Sequence, residues 1–317
     1  MYTNGLKGID MNRRDFITAA SCFGAAAMAG GFAGCATAPK FTPSGAMYDE
    51  TVRDRLWLWG HHANALLRKK PVKTFAGLPS RPHTGMLEGC KYLGIPNLAF
   101  INWGGGVNMV PDDPDDPFYT RFCELKRTAW KISMGGPENL IPRTEIAFRY
   151  QKVTGNLTTC FLDDYFIEEK YVRPLDELTE VRERLHSHDI KLTVVLYTDQ
   201  GGGIKDSIKP SLDVCDEVSL WFWHGKNVDT MDLQVRKCRE FIGKEKSMLL
   251  GLYIWDWGAG RPIGEERMRH QLDLARQYLA DGTVSGLIFH TNLICDMDDP
   301  AVELSRRWIA GHGEEHI

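Results

Sequence analysis

Eight short apolar segments recur along the sequence, and helix-like amphipathic stretches lie in the intervals between them. Each segment is continuous and rich in Leu, Val, Ile and aromatic residues, as expected of strands that are buried on both faces. The segments span residues 55–60, 97–102, 128–134, 157–163, 191–197, 217–222, 248–254 and 285–290. Repeated alternation of strands with helices is typical of a parallel sheet covered by helices. The chain is therefore predicted to be an α/β protein with eight parallel strands.

The amphipathic stretches support the same alternation. In the stretch 175–188, leucine and valine recur three and four residues apart, which gives one apolar stripe. The other such stretches are 138–153, 229–242, 264–279 and 300–309. Glycine triplets at 104–106 and 201–203 follow strands without the G-x-G-x-x-G spacing of a dinucleotide-binding sheet. These observations favour a single (β/α)8 barrel, a TIM barrel, over an open doubly wound sheet.

The first 40 residues have the composition of an export signal. Residues 12–18 read NRRDFIT and resemble a twin-arginine (Tat) signal, and an Ala/Gly-rich stretch follows them. Residues 32–35 read FAGC and resemble a bacterial lipoprotein box, in which Cys35 would carry the lipid. Cleavage after Ala38 is the alternative, and it would release a soluble protein. We predict a Tat-type signal peptide and linker at 1–40, a catalytic domain at 41–317, and a periplasmic or cell-surface lipoprotein.

Net charge and cysteine spacing indicate which binding partners and which covalent cross-links to expect. The formal net charge is −4 and the isoelectric point is about 6.2, which gives no support to nucleic-acid binding. The six cysteines after residue 40 are widely spaced, with no C-x-x-C pair, and most fall within apolar or helical stretches. We therefore expect buried thiols rather than disulfides. The sequence leaves the oligomeric state open.

Acidic residues follow two of the predicted strands. The fourth strand runs into Asp163 and Asp164, and the seventh is followed by Asp256 between two tryptophans. In a closed parallel barrel the strand C-termini face one central crevice, so carboxyls from both strands could flank one bond. Glycosidic cleavage needs one carboxylic acid to protonate the departing oxygen and one carboxylate to attack or to activate water. We predict Asp164 and Asp256 as the catalytic pair, with Asp163 as a third candidate whose repulsion would raise the pKa of its neighbour.

Over about residues 53–312 these features resemble the barrel glycoside hydrolases. Many members of that group place catalytic acids at the fourth and seventh strands. The largest clan has Glu at both positions, preceded by Asn at the fourth strand, whereas this sequence has Asp at both. The pair Asp164-Tyr165 is similar to barrel families acting on α-linked sugars, in which an Asp at this strand is the nucleophile. The resemblance implies an enzyme that hydrolyses glycosidic bonds in a poly- or oligosaccharide.

Aromatic and polar side chains at other strand ends predict the sugar-binding surface. Indole and phenol rings stack on the C–H faces of sugars, while imidazoles and amides hydrogen-bond sugar hydroxyls. The predicted substrate-binding residues are His61, Asn102, Trp103, Tyr165, Tyr197, Trp223, His224, Tyr253, Trp257, His290 and Asn292.

Two other functions fit the same residues. In the first, a metal-dependent sugar isomerase, epimerase or deacetylase would use imidazoles and carboxylates from several strands: His61, His62, His224, His290, Asp163, Asp199 and Asp256. No H-x-H or H-E-x-x-H spacing supports such a centre. We predict no metal and no cofactor, because the glycosidase mechanism needs only carboxyls. The second alternative is a lipoprotein that binds glycans without cleaving them, and in each reading a lipid anchor would be the only membrane contact.

Overall fold

The computed structural model describes residues 50–63, 77–80, 82–101, 113, 115–133, 139–198 and 203–317. In this part of the chain eight parallel strands close into a barrel, because the last strand pairs with the first. The strands are β1 (Leu56–Gly60), β2 (Asn97–Phe100), β3 (Arg127–Lys131), β4 (Leu157–Leu162), β5 (Lys191–Tyr197), β6 (Glu217–Trp221), β7 (Ser247–Tyr253) and β8 (Gly286–His290). The predicted (β/α)8 barrel is confirmed.

Helices lie in the intervals between the strands. The described residues include α1 (Met86–Leu93), α2 (Ile141–Thr154), α3 (Leu175–His186), α4 (Lys209–Val214), α5 (Met231–Ile242), α6 (Glu265–Ala280) and α7 (Pro300–His312). A 3-10 helix at Pro117–Glu124 lies between β2 and β3. After β7, Trp255–Asp256 pairs antiparallel with Arg261–Pro262 in a short hairpin above the barrel.

Large aromatic side chains fill the barrel below its C-terminal mouth. The Trp59 ring packs edge to face on Phe161 and Trp221, with centroids 5.1 and 5.0 Å away. Gly251 in β7 makes room for the Trp221 indole, since a Cβ at this position would overlap the ring. Trp221 Nε1 donates to Ser219 Oγ at 3.1 Å, which satisfies the polar atom of this buried indole. The barrel interior is therefore a packed core rather than a pore.

Two further observations concern the chain outside the barrel interior. Cys90, Cys160, Cys215, Cys238 and Cys295 are buried free thiols, and Cys123 is a partly exposed one, as predicted. Among the described residues, no helix combines the length and the apolar character needed to cross a membrane.

Candidate active site

Most of the residues predicted to carry chemistry meet at the C-terminal mouth of the barrel. Alternation along each strand turns every second side chain inward, so the last inward residues of several strands converge there. We call the following side chains the mouth residues: His61, Lys131, Asp163, Asp164, Tyr197, Trp223, Tyr253, Trp257 and His290. They lie at or just beyond the ends of β1, β3, β4, β5, β6, β7 and β8.

A buried ion pair joins the ends of β3 and β4. Lys131 Nζ lies 2.8 Å from Asp163 Oδ2, and the two side chains are 1% and 10% exposed. Removing two charges from water is costly, and their mutual contact offsets that cost. The ion pair therefore fixes the orientation of the Asp163 carboxyl.

Asp164 differs from Asp163 in both backbone and partner. Its φ of +55° lies in the left-handed region, which Asp tolerates better than most residues. In a regular strand Asp164 would point away from the face that carries Asp163, and the left-handed turn breaks this alternation. Its Oδ1 atom accepts a hydrogen bond from the Tyr197 hydroxyl at 3.1 Å. Two consecutive carboxyls consequently share one site.

The environment of Asp164 favours its protonated form. Burial raises the pKa of Asp164 to about 6, and repulsion by Asp163 acts in the same direction. The Lys131 charge and the Tyr197 hydrogen bond lower this pKa, but they do not offset the burial. Adjacent carboxyls in different environments are a recurrent way of building an acid beside a permanent carboxylate.

Two neutral imidazoles lie beside the carboxyls. Burial lowers the pKa of His61 to about 4, and the Lys131 charge adds to this effect. The pKa of His290 is well below its ordinary value because of burial and the neighbouring His61. The two rings have centroids 5.6 Å apart. Both side chains are therefore uncharged near neutral pH, when they act as hydrogen-bonding groups rather than as cations.

Aromatic rings continue from His290 around the mouth. Tyr253 and Trp257 lie 4.8 and 5.0 Å from the His290 ring centroid. Trp223 packs edge to face on Tyr253 at 6.1 Å and on Tyr197 at 6.3 Å. Trp223 and Tyr197 are partly exposed, while Tyr253 and Trp257 are buried. This arrangement offers apolar ring surfaces beside the carboxyls.

The structure gives Asp256 contacts with loop backbone instead. Its Oδ1 atom accepts from the Ala259 N–H at 3.0 Å, and a Cβ built on Gly225 would lie 2.7 Å from its Oδ2 atom. Asp256 and Trp257 are consecutive, and Trp257 contacts His290 while Asp256 contacts these loops. These contacts make Asp256 a buried acceptor that shapes the loop.

Two predicted substrate-binding residues lie in the protein core. Tyr165 is 1% exposed, and its hydroxyl accepts from the Arg173 N–H at 2.8 Å, on the side of α3. Asn292 is fully buried; it accepts from His61 N–H and donates to the His61 and Thr84 carbonyls. Tyr165 therefore packs behind the mouth, and Asn292 fastens the end of β1 to the segment after β8.

The other predicted residues are placed less centrally. The His224 ring lies against the backbone of Gly258, where a Cβ would overlap it. Asn102, Trp103 and Cys35 lie outside the described residues. Within the described part of the chain, no group of three or more His, Cys, Asp or Glu side chains is arranged to hold a metal ion.

Lys131 is the mouth residue that sequence reasoning missed. It stands in the segment Trp130-Lys131-Ile132, within an otherwise apolar strand. Because lysine is rarely fully buried unless it is paired, a lysine inside such a strand is a signal of a buried acidic partner. Asp163, at the end of the neighbouring strand, is that partner.

No protein-family model matches the sequence, and no curated protein matches it. Among solved structures, a group IV chitinase from Ostrinia furnacalis is similar with a TM-score of 0.47 and 11% identity, covering 83% of this chain and 100% of that chain. A chitinase from Chromobacterium violaceum has a TM-score of 0.43 and 12% identity, with 69% and 93% covered. A 2,3-dimethylmalate lyase has a TM-score of 0.42 and 12% identity, with 81% and 78% covered. The similar structures thus include glycoside hydrolases and enzymes of other reaction classes.

Proposed function

We propose that this protein hydrolyses glycosidic bonds in a poly- or oligosaccharide, with Asp164 as the general acid and Asp163 as an ion-paired carboxyl that stabilises the transition state. The observation that carries the proposal is the difference between these consecutive residues. Asp163 is ion-paired with Lys131, whereas the pKa of Asp164 is raised to about 6. Neighbouring titratable groups whose environments drive their pKa values apart are the usual basis for pairing an acid with a carboxylate.

Asp164 has the properties that leaving-group protonation requires. With a pKa near 6 it is partly protonated in neutral solution, and it regains a proton readily after each turnover. The Tyr197 hydroxyl donates to Oδ1, which fixes the orientation of the carboxyl. In this role Asp164 donates its proton to the glycosidic oxygen as the bond to the anomeric carbon breaks. Water then bonds to the anomeric carbon and gives up one proton to the ionised Asp164, which restores the acid.

Asp163 supplies negative charge beside the acid Asp164. Cleavage passes through an oxocarbenium-like transition state, and a fixed carboxylate stabilises the positive charge that develops there. Lys131 pairs with Asp163 and orients its carboxyl beside the neighbouring acid. Asp163 thus takes the place that the sequence had given to Asp256, whose carboxyl is held by loop backbone.

The aromatic mouth fits a sugar ligand. Trp223 and Tyr197 present partly exposed ring surfaces beside Asp164, and the C–H faces of a pyranose stack on such surfaces. Neutral imidazoles at His61 and His290 add hydrogen-bonding groups without charge. A carbohydrate is therefore the proposed substrate and partner, and no step of this chemistry calls for a cofactor.

We further propose that the protein acts outside the cytoplasm. The proposal is supported by the NRRDFIT segment at 12–18 and the FAGC segment at 32–35, with lipid attached at Cys35. A polysaccharide substrate is too large to enter a cell, so an exported hydrolase would meet it directly.

The test is turnover of a panel of oligosaccharides and 4-nitrophenyl glycosides by the wild type and three Asp→Asn variants. On the oligosaccharides, Asp163→Asn and Asp164→Asn should each lower kcat by roughly 10²–10⁴-fold, because each removes an ionisable group from the reaction. Asp256→Asn is the matched control; it keeps a side-chain oxygen for the Ala259 N–H and should retain most activity.

The alternatives give other results. Glycan binding with no turnover by the wild type would indicate a binding protein, and activity lost on chelation and restored by a divalent metal would indicate a metal-dependent enzyme. Equal loss in all three variants, or loss in Asp256→Asn alone, would remove the assignment of Asp163 and Asp164.

A further inference from the structure

Two buried polar atoms at the mouth have no hydrogen-bond partner among the residues that the structure describes. They are Trp257 Nε1 and His290 Nδ1. The side chains are only 5% and 8% exposed, and their ring centroids are 5.0 Å apart. A buried polar atom without a partner is destabilising, so two such atoms on neighbouring rings at the mouth point to a missing ligand group.

The chemistry of the two atoms restricts that group. An indole N–H can only donate a hydrogen bond. The Nδ1 atom of a neutral imidazole donates or accepts, depending on the tautomer. A hydroxyl group both accepts and donates, so one hydroxyl or two adjacent hydroxyls would satisfy both atoms in either tautomer.

The rings that surround these atoms are uncharged. The rings nearest to His290 are Trp59, His61, Trp221, Tyr253 and Trp257. His290 and His61 are neutral because burial lowers the pKa of each. Lys131, the buried cation of the site, is already ion-paired with Asp163. Burying an unpaired charged group costs far more than burying a hydroxyl that is hydrogen-bonded.

We propose that Trp257 and His290 form a subsite for uncharged hydroxyl groups of the substrate, which selects a neutral sugar over a uronic acid or an amino sugar at this position. The proposal rests on the assignment of the protein as a glycoside hydrolase. It adds a substrate class, and it gives the two side chains a binding role that is separate from the acid chemistry of Asp164.

The experiment compares 4-nitrophenyl glycosides of neutral hexoses with the matching glucuronide and glucosaminide, followed by monodeoxy analogues of the best neutral glycoside. The wild type should turn over the neutral glycosides with kcat/KM at least about tenfold above that for either charged one. At least one monodeoxy analogue should lose roughly 5–150-fold in kcat/KM, because it leaves one or both buried atoms unsatisfied.

Variants then connect that loss to the two side chains. Trp257→Phe keeps a ring but removes the N–H, so kcat/KM of this variant for the full glycoside should fall by a similar factor. When the substrate is then changed to the monodeoxy analogue, kcat/KM of the variant should fall little further, because the contact is already lost. His290→Asn keeps a polar atom near the Nδ1 position and should be less affected than His290→Phe. Trp308→Phe is the matched control, since Trp308 Nε1 is also buried and unpartnered but packs on Phe289 beneath α7; its kcat/KM should not change.

Two outcomes would overturn the subsite. If every monodeoxy analogue loses activity equally on wild type and Trp257→Phe, the indole N–H does not contact the substrate. The loss of oligosaccharide turnover in Asp164→Asn would not be affected by that result, and the hydrolase assignment would stand. Preference for the glucuronide or glucosaminide would likewise reject the neutral subsite, and this comparison needs only wild-type protein. If no glycoside in the panel is hydrolysed, the proposed function and the subsite fail together.

Discussion

Lys131 Nζ lies 2.8 Å from Asp163 Oδ2 at the mouth of the barrel, while the next carboxyl in the chain, Asp164, hydrogen-bonds to the uncharged Tyr197 hydroxyl. Two consecutive residues thus carry an ion-paired carboxyl and a carboxyl with a pKa near 6. The left-handed backbone at Asp164 makes this possible, because it keeps both side chains in one site.

The ion pair should contribute strongly to stability. Lys131→Met removes the cation and leaves Asp163 buried without its partner, which should lower the free energy of unfolding by about 3–5 kcal/mol. Lys126→Met is the control, because Lys126 forms a half-exposed pair with Asp54 and should cost less than about 1 kcal/mol. Urea unfolding of both variants measures the difference. Equal, small effects would show that Lys131 is not a buried partner of Asp163.

Asp164 should reduce stability above pH 6. The pKa of Asp164 is raised from 3.8 to about 6 in the folded protein, so between these values the folded state binds the extra proton. The contribution of Asp164 to the free energy of unfolding is therefore greatest below about pH 4, falls as the pH rises to about 6, and stays low above that pH. Asparagine carries no charge, so Asp164→Asn should raise the melting temperature at about pH 7.5 and change it little at about pH 4.

An exposed carboxyl provides the comparison for that measurement. Asp229 is paired with Arg267, and its pKa is lowered by that hydrogen bond. Asp229→Asn should not stabilise the protein at about pH 7.5. If Asp164→Asn is also no more stable than the wild type at that pH, the raised pKa of Asp164 is contradicted.

The Tyr197 hydroxyl should tune the acid. Its hydrogen bond lowers the pKa of Asp164, so Tyr197→Phe should raise that pKa further. The alkaline limb of the kcat/KM profile, above which the acid is ionised, should move to higher pH in the variant. A limb that stays in place while kcat falls would mean that Tyr197 contributes through packing alone.

The barrel was predictable because strands buried on both faces form continuous apolar runs. The predicted segment 191–197 coincides with β5, and 128–134 overlaps β3, which ends earlier, at Lys131. Helix ends were also close: the predicted stretch 138–153 corresponds to Ile141–Thr154, with Gly155 in a left-handed cap. These features are local in sequence, so local patterns are sufficient to find them.

The site was only partly predictable, because side-chain direction depends on features that composition does not show. Simple alternation would turn Asp164 away from Asp163, and the φ of +55° that prevents this has no signal in the sequence beyond the residue type. At Asp256 and Trp257 the two consecutive side chains have different neighbours. Trp257 packs on His290, whereas Asp256 accepts a hydrogen bond from the loop backbone. Lys131 carried a signal, a lysine within an apolar strand, which pattern reading for acids and aromatics passed over.

Export gives a prediction that is independent of the barrel. Replacement of Arg13 and Arg14 by lysine should abolish translocation, and Cys35→Ser should yield protein that lacks lipid. Mass spectrometry of the mature N-terminus decides between the two processing routes. A terminus at Pro39 without lipid would contradict the anchor and would support cleavage after Ala38.

The most direct test of Asp164 as the general acid varies the leaving group. On a natural oligosaccharide, whose departing sugar must be protonated, Asp164→Asn should lower kcat by roughly 10²–10⁴-fold. On the 2,4-dinitrophenyl glycoside of the same sugar, whose leaving group departs without a proton, the same variant should lose about tenfold or less. Equal losses on the two substrates, or full activity on the oligosaccharide, would contradict the assignment of Asp164.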